Sequence, residues 1–243
     1  MTSRPRLVLL HGFTQTGNSW NTIAGDLGGD FEVLAPDAPG HGDSRQPAPD
    51  LWHAAESITA LCGRATYVGY SMGGRIALHA ALARPDLVER LVLLGTTPGI
   101  RDTQEREARK QSDEALALSI ERDGVDAFLT RWLSNPLFEH LPTEASQQED
   151  RRRNSVDGLA GSLRTCGTGS QDNLWTRLAE LRMPVLLMAG ALDTKFADLA
   201  LEMAPLVGGP ATTVLLDGAG HAAHLENPQA FIAALRGWLQ QTA

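Results

Sequence analysis

Six short apolar runs recur along the chain: Leu7–Leu10, Val33–Ala35, Thr66–Val68, Leu91–Leu94, Val185–Met188 and Thr213–Leu216. Each is soon closed by Gly, Pro, Asp or His. None shows the in–out alternation of a half-exposed strand, so they predict strands buried on both faces, as in a parallel sheet. Helical spacing lies between several of them, with Ile76, Ala77, Ala80 and Ala81 on one stripe. Phe231, Ile232, Leu235, Trp238 and Leu239 form another, started by Asn227 as N-cap and Pro228 in the first turn. Strands alternating with helices predict right-handed crossovers and an α/β sheet covered on both faces.

From Gly99 to Asp172 this rhythm stops. Asp102 and Glu105 make a capping-box-like start, and helix formers run to Arg122, with Gly124 as the expected stop. A second helix is predicted around Phe128, Leu129, Trp132 and Leu133, ending before Pro136. A third is expected to begin after Pro142 and run, densely polar, through Arg151, Arg152 and Arg153. No strand-like run interrupts them. The division this predicts is a core of residues 1–98 and 173–243 with a helical cap, 99–172, between the fourth and fifth strands. Such an insertion sits over the carboxyl edge of the sheet, where open α/β sheets bind ligands.

Composition narrows the function. The 243 residues can bury a full core, and 42% hydrophobic with 21% charged residues is ordinary for a globular protein. With 21 Lys+Arg against 29 Asp+Glu, a net charge of -8, the chain lacks the cations of a general nucleic-acid binder. Cys62 and Cys166 lie far apart, which excludes a disulfide scaffold and a Cys-based zinc site and fits a reducing compartment. The first apolar stretch, Leu7–Leu10, is too short for a signal h-region or a membrane span. A cytoplasmic protein without membrane or nucleic-acid partners is therefore expected, its oligomeric state open. No metal-ligand spacing and no dinucleotide fingerprint appears, so neither metal nor cofactor is expected. Lys110 and Lys195 are the only lysines, so an anion site here would be built mainly from guanidinium forks.

Gly69-Tyr70-Ser71-Met72-Gly73 stands between the third strand and a helix, which is the strand–turn–helix context of a Gly-x-Ser-x-Gly nucleophile elbow. His11-Gly12-Phe13 follows the first strand, and its bend lets the Phe13 N–H join the Met72 N–H in an oxyanion hole. Each such donor is worth roughly 3–4 kcal/mol to a developing negative charge. Asp193 follows the fifth strand and His221 the sixth. Ser71, Asp193, His221 is the chain order of an α/β-hydrolase triad, with the imidazole taking the serine proton and the carboxylate fixing its tautomer. Asp193 also reads as an N-cap for the helix after it, and Asp217 is a rival acid too close in sequence to His221. Arg75 lies in the first turn after the elbow, where the macrodipole disfavours a cation unless an anionic ligand offsets it. Arg109 and Arg153 stand in the cap. Each alone reads as a solvated face residue, but both can point into the same cleft.

Taken together, these residues resemble a known family. Gly69-Tyr70-Ser71-Met72-Gly73-Gly74-Arg75, Thr97-Pro98-Gly99-Ile100, Trp132, Leu192-Asp193-Thr194-Lys195-Phe196 and Gly220-His221-Ala222-Ala223-His224 look like the 2-succinyl-6-hydroxy-2,4-cyclohexadiene-1-carboxylate (SHCHC) synthases of menaquinone biosynthesis. The resemblance covers essentially the whole chain. It implies an α/β-hydrolase fold and a lyase in which Ser71, activated by His221, removes a substrate proton and pyruvate is eliminated. It further implies a small substrate with three carboxylates held by Arg75, Arg109 and Arg153, a pocket lined by Tyr70 and Trp132, and Lys195 near the rim. One departure stands out: the first strand begins by Leu7, leaving no room for the two antiparallel strands that open many α/β-hydrolases.

A serine esterase or carbon–carbon bond hydrolase using the same triad is the alternative, and a non-catalytic binding protein on this fold is a third. Three guanidiniums around the serine favour a polyanionic substrate over a neutral ester. An intact triad argues against loss of catalysis.

Overall fold

The computed structural model describes residues 4–242. Its centre is one six-stranded sheet in the order β2-β1-β3-β4-β5-β6, with every pairing parallel. The strands are β1 (Arg6–Leu10), β2 (Glu32–Leu34), β3 (Ala65–Tyr70), β4 (Val88–Leu94), β5 (Val185–Gly190) and β6 (Ala211–Leu216). Alternate residues of each inner strand enter opposite cores. Val8, Leu10, Tyr67, Leu91, Leu93, Val185 and Leu187 pack on one face with α2 (Leu51–Cys62), α3 (Met72–Ala83) and α7 (Thr194–Met203). Leu7, Leu9, Val68, Val92, Leu94, Leu186 and Met188 pack on the other with α1 (Asn21–Leu27) and α9 (Pro228–Gln241). Apolar residues at both parities are what a doubly covered sheet demands, and they account for the unbroken apolar runs.

That reading fails at the two edges. In β2 no residue is fully buried, and in β6 only Leu216 is. An edge strand has a sheet neighbour on one flank only, so its side chains keep more solvent than those of β1, β3 and β5. β3 and β4 also run longer than the apolar runs that predict them.

Between β4 and β5 the chain is helical, as expected, but its third helix falls elsewhere. Gly124, at φ 79°, ψ 171°, leaves the helical conformation and divides α4 (Thr103–Leu133) into two helices across a kink, where the sequence places the stop, and the second helix carries Phe128, Leu129 and Trp132. The polar stretch after Pro142 is mostly turns, with α5 (Gln148–Arg151) a single turn. The third long helix is α6 (Val156–Cys166), capped by the Ser155 hydroxyl on the Gly158 N–H. Two interior glycines hide it from a propensity reading. Gly158 earns its place by close approach: a Cβ there would lie 2.4 Å from the Gly40 carbonyl oxygen. α4 and α6 share a small core of Ala117, Ile120, Phe128, Leu159, Ala160 and Leu163. The insert leaves and rejoins the sheet layer at one point, where the Leu174 N–H donates to the Pro98 carbonyl at 2.7 Å. The remaining helix is the single turn α8 (Ala223–Glu226). No helix among the described residues is long and apolar enough to cross a membrane.

Candidate active site

Ser71 joins the end of β3 to the start of α3 in a conformation side chains rarely adopt, φ 51° and ψ -108°. Such strain is retained where the surroundings over-determine it, commonly at functional sites. Here its amide donates to the Leu94 carbonyl at 2.8 Å and its own carbonyl accepts the first helical bond, from Arg75 N at 3.1 Å. The turn needs glycine beside it, since a Cβ on Gly73 would come 2.2 Å from the Leu10 carbonyl oxygen.

The carboxyl ends of three strands then converge. His221 Nε2 lies 3.2 Å from Ser71 Oγ, and its Nδ1 lies 2.6 Å from Asp193 Oδ2. The Nδ1–H donates to the carboxylate, leaving Nε2 free to accept the serine proton. Asp193 bonds both the imidazole and a helix start, because its other oxygen accepts from Phe196 N at the start of α7. Asp217 makes no bond to His221. A residue the sequence reading passed over braces this loop. The Glu226 carboxylate accepts from Gly220 N and, at 3.0 Å, from Ala222 N, the two amides that flank His221.

The opposite wall is the turn after β1. His11 Nδ1 bonds the Gly12 carbonyl at 2.8 Å while its Nε2 accepts from Ala38 N at 2.9 Å, so the ring is neutral and pins the turn. Gln15 Oε1 accepts the Gly12 N–H at 2.8 Å. The Phe13 and Met72 N–H groups meet no acceptor among the described residues, and both residues line the same cavity as Ser71. They are free to receive an oxyanion.

That cavity, of about 150 Å³, lies between the sheet edge and the helical insert. Phe13, Tyr70, Trp132, Phe138 and Phe196 give it apolar walls, and Ser71, Met72 and His221 its floor. Four cations line it, Arg75, Arg109, Arg151 and Lys195, and no Asp or Glu does. In a chain of net charge -8 this is a strong local reversal of sign. Arg75 is only 7% exposed; its Nη1 donates to the Cys166 carbonyl at 2.6 Å, and no carboxylate among the described residues pairs with it. Arg151 is 1% exposed, donates to the Ser146 carbonyl and the Thr14 hydroxyl, and is likewise unpaired. Burial pushes both guanidiniums down to about 10. An uncompensated buried cation costs several kcal/mol, so two of them in one cavity ask for anions. Arg109 is half-neutralised already, its Nε lying 2.8 Å from Asp113.

Of the residues singled out in the sequence, Ser71, Met72, Phe13, His221, Tyr70, Arg75, Arg109, Trp132 and Lys195 line this cavity, with Asp193 directly behind His221. Arg153 does not. It turns outward to Asp43 and Asp150, with its side chain 38% exposed, and the arginine that enters from that run is Arg151. Three consecutive arginines in a polar stretch carry no periodicity that tells the inward one from its neighbours. Asn154 gives the run its direction: Nδ2 bonds the carbonyls of Thr14 and Arg151, and Oδ1 accepts from Gly42 N.

Comparison with known proteins places this geometry. The alpha/beta hydrolase fold family matches residues 5–228. A Serratia proteamaculans (strain 568) protein, 34% identical over 97% of this chain and 93% of its own, is named 2-succinyl-6-hydroxy-2,4-cyclohexadiene-1-carboxylate synthase. A Bacillus subtilis (strain 168) protein bears the same name provisionally and is 36% identical over 93% of this chain and 86% of its own. Among solved structures, MenH from S. aureus superposes with a TM-score of 0.94 at 29% identity, covering 100% of this chain and 96% of that one.

Proposed function

The chain belongs to the α/β-hydrolase family and, within it, to the SHCHC synthases, and from that premise we propose how its residues divide the work. It is a lyase of menaquinone biosynthesis. It converts 2-succinyl-5-enolpyruvyl-6-hydroxy-3-cyclohexene-1-carboxylate into the 2,4-cyclohexadiene with loss of pyruvate. A 3-ene that becomes a 2,4-diene must lose a proton at ring carbon 2 and its oxygen substituent at carbon 5. The carbon 2 proton is acidified by the neighbouring succinyl ketone and by the double bond.

His221, oriented by Asp193, takes the Ser71 proton, and Ser71 Oγ removes the carbon 2 proton. Charge flows onto the succinyl oxygen, where the Phe13 and Met72 amides stabilise it. It then returns through the ring double bond to break the carbon 5–oxygen bond. The enolpyruvyl group leaves as the enolate of pyruvate and becomes pyruvate on protonation at its methylene carbon. Arg75 and Arg151 bind substrate carboxylates as guanidinium forks. Arg109 and Lys195 add positive charge nearer the mouth, and Tyr70 and Trp132 hold the ring.

The observation that carries this division of roles is the pair of buried guanidiniums without carboxylate partners in the cavity that holds Ser71 and His221. Substrate made in situ by the preceding pathway enzyme tests it, with pyruvate release followed above the spontaneous rate. Fast release by the wild type, lost in Ser71→Ala and in Arg75→Ala, is expected. Release that survives Ser71→Ala would remove the serine from the mechanism.

A further inference from the structure

The elimination asks Ser71 only for a base, yet its surroundings are those of a nucleophile. Its Oγ lies 3.2 Å from His221 Nε2, strained backbone holds it out from the strand end, and two unbonded amides stand beside it. A deprotonated Oγ in that place attacks an acyl carbon if one is presented instead of an acidic C–H. The cavity decides what is presented. On the reading given above, on which this inference rests, the substrate's 3-carboxypropanoyl arm puts its ketone oxygen against the Phe13 and Met72 amides and its carboxylate on a guanidinium. Attack on that ketone is fruitless, because the carbonyl carbon is bonded to a ring carbon that cannot leave. With oxygen or sulfur in place of that ring carbon, the same arm becomes an acyl donor.

We propose that this site also hydrolyses half-esters and half-thioesters of succinate through an acyl-Ser71 intermediate. The Ser71 proton passes to His221 as Oγ bonds the acyl carbon. The tetrahedral oxyanion rests on the two amides, and the carbon–oxygen or carbon–sulfur bond breaks, the leaving group taking the proton from the imidazolium. Water then gives a proton to His221, attacks the acyl carbon and frees succinate, restoring the Ser71 hydroxyl. The far carboxylate is the selector. A neutral ester leaves Arg75 and Arg151 buried and unpaired, whereas a half-ester supplies the anion that they lack.

Mono(4-nitrophenyl) succinate and its methyl diester, which differ in that charge and by one methyl group, form the test. The expected result is an Oγ-linked succinyl adduct seen by mass spectrometry after acid quench. The half-ester should exceed the methyl diester in kcat/KM by roughly 10- to 100-fold, the range of a charge-assisted hydrogen bond. Turnover should fall to the spontaneous, carboxylate-assisted rate in Ser71→Ala. In Arg151→Met the preference for the half-ester should collapse, with folding checked by circular dichroism. The wild-type comparison stands even if that variant does not fold. Equal turnover of the two esters, or half-ester turnover that persists without Ser71, overturns the proposal. So does an enzyme that releases pyruvate efficiently but leaves the half-ester untouched. Half-ester selectivity without pyruvate release would instead overturn the lyase roles and leave this activity standing, while loss of both overturns both.

Discussion

Acid should unfold this protein earlier than its carboxylates would dictate, because four histidines are buried neutral. His11, His41, His79 and His224 are all enclosed, and burial pushes them down to about 4, 3, 4 and 3. The geometry gives independent reasons. Protonating His11 Nε2 would destroy its bond from Ala38 N. His79 sits on the Arg75 carbonyl and feels that guanidinium, and His11 and His224 both feel Arg151, so three of the four feel cations that line the cavity. In the unfolded chain each returns to 6.5. The sign follows: below pH 6.5 the unfolded state binds protons that the folded state refuses, so stability falls as pH falls. At pH 5 each histidine costs about 2 kcal/mol, and the four together about 8 kcal/mol. Against a net stability of about 5–15 kcal/mol, that is a large share.

Urea unfolding at a series of pH values from 7.5 to 4.5 measures this directly. With four protons taken up on unfolding, the slope near pH 5 should approach about 5 kcal/mol per pH unit. The carboxylates contribute less there, because their ordinary values, 3.8 and 4.5, lie below pH 5; those with resolved shifts are lowered in the folded state, so what they add has the same sign. His224 packs against Trp20 and Tyr70 and makes no hydrogen bond among the described residues. His224→Phe should therefore remove one proton's worth of the slope, whatever it does to absolute stability. A stability unchanged between pH 7 and pH 5, or a slope that His224→Phe leaves intact, would refute the reasoning.

Two substitutions in neighbouring positions separate the inward arginine from the outward one. Arg151→Met should cost about 1.5–3 kcal/mol of transition-state binding, seen as a fall in kcat/KM for pyruvate release. Arg153→Met, which loses only exposed pairs to Asp43 and Asp150, should change it by less than about twofold. Asn154→Ala strips bonds from the Gly42 amide and from the Thr14 and Arg151 carbonyls. It should lower the unfolding free energy by about 2–3 kcal/mol and slow turnover beyond that, because Thr14 follows Phe13, the proposed oxyanion donor; unchanged kinetics in a folded variant would disprove the link.

Much of the fold is legible in the chain because a doubly covered parallel sheet writes its demand on every residue of its inner strands. Leu7 to Leu10 serve two cores in alternation, and no polar position can interrupt them. The elbow is legible for a similar reason, since Gly69 and Gly73 are forced by backbone contact and fix the serine between them. The histidine and aspartate follow from chain order. What the chain does not display is anything decided by a side chain's direction within an irregular segment. Arg151 is the last residue of the single-turn α5 and Arg153 stands two positions beyond it, and which one enters the cavity is set by Asn154 and Thr14, residues more than a hundred positions apart. Helix α6 is obscured by glycines whose purpose is contact with Gly40 and Pro47, again a tertiary matter. Glu226 escapes notice because its work, holding two amides around His221, leaves no periodic mark.

The site's polar economy and its chemistry are therefore one design. Two buried cations without counter-ions among the described residues, a serine held at positive φ and histidines kept neutral beside guanidiniums all cost the folded protein stability. On the proposed division of roles, a substrate carboxylate relieves the first of these on binding, and the relief is available only to an anionic molecule. Neutral molecules that fit the aromatic walls gain the apolar contact and nothing more. On that proposal, selectivity for a polyanion comes from the cost of burying Arg75 and Arg151 unpaired as much as from attraction to the bound anion, and the same charges hold the substrate beside Ser71.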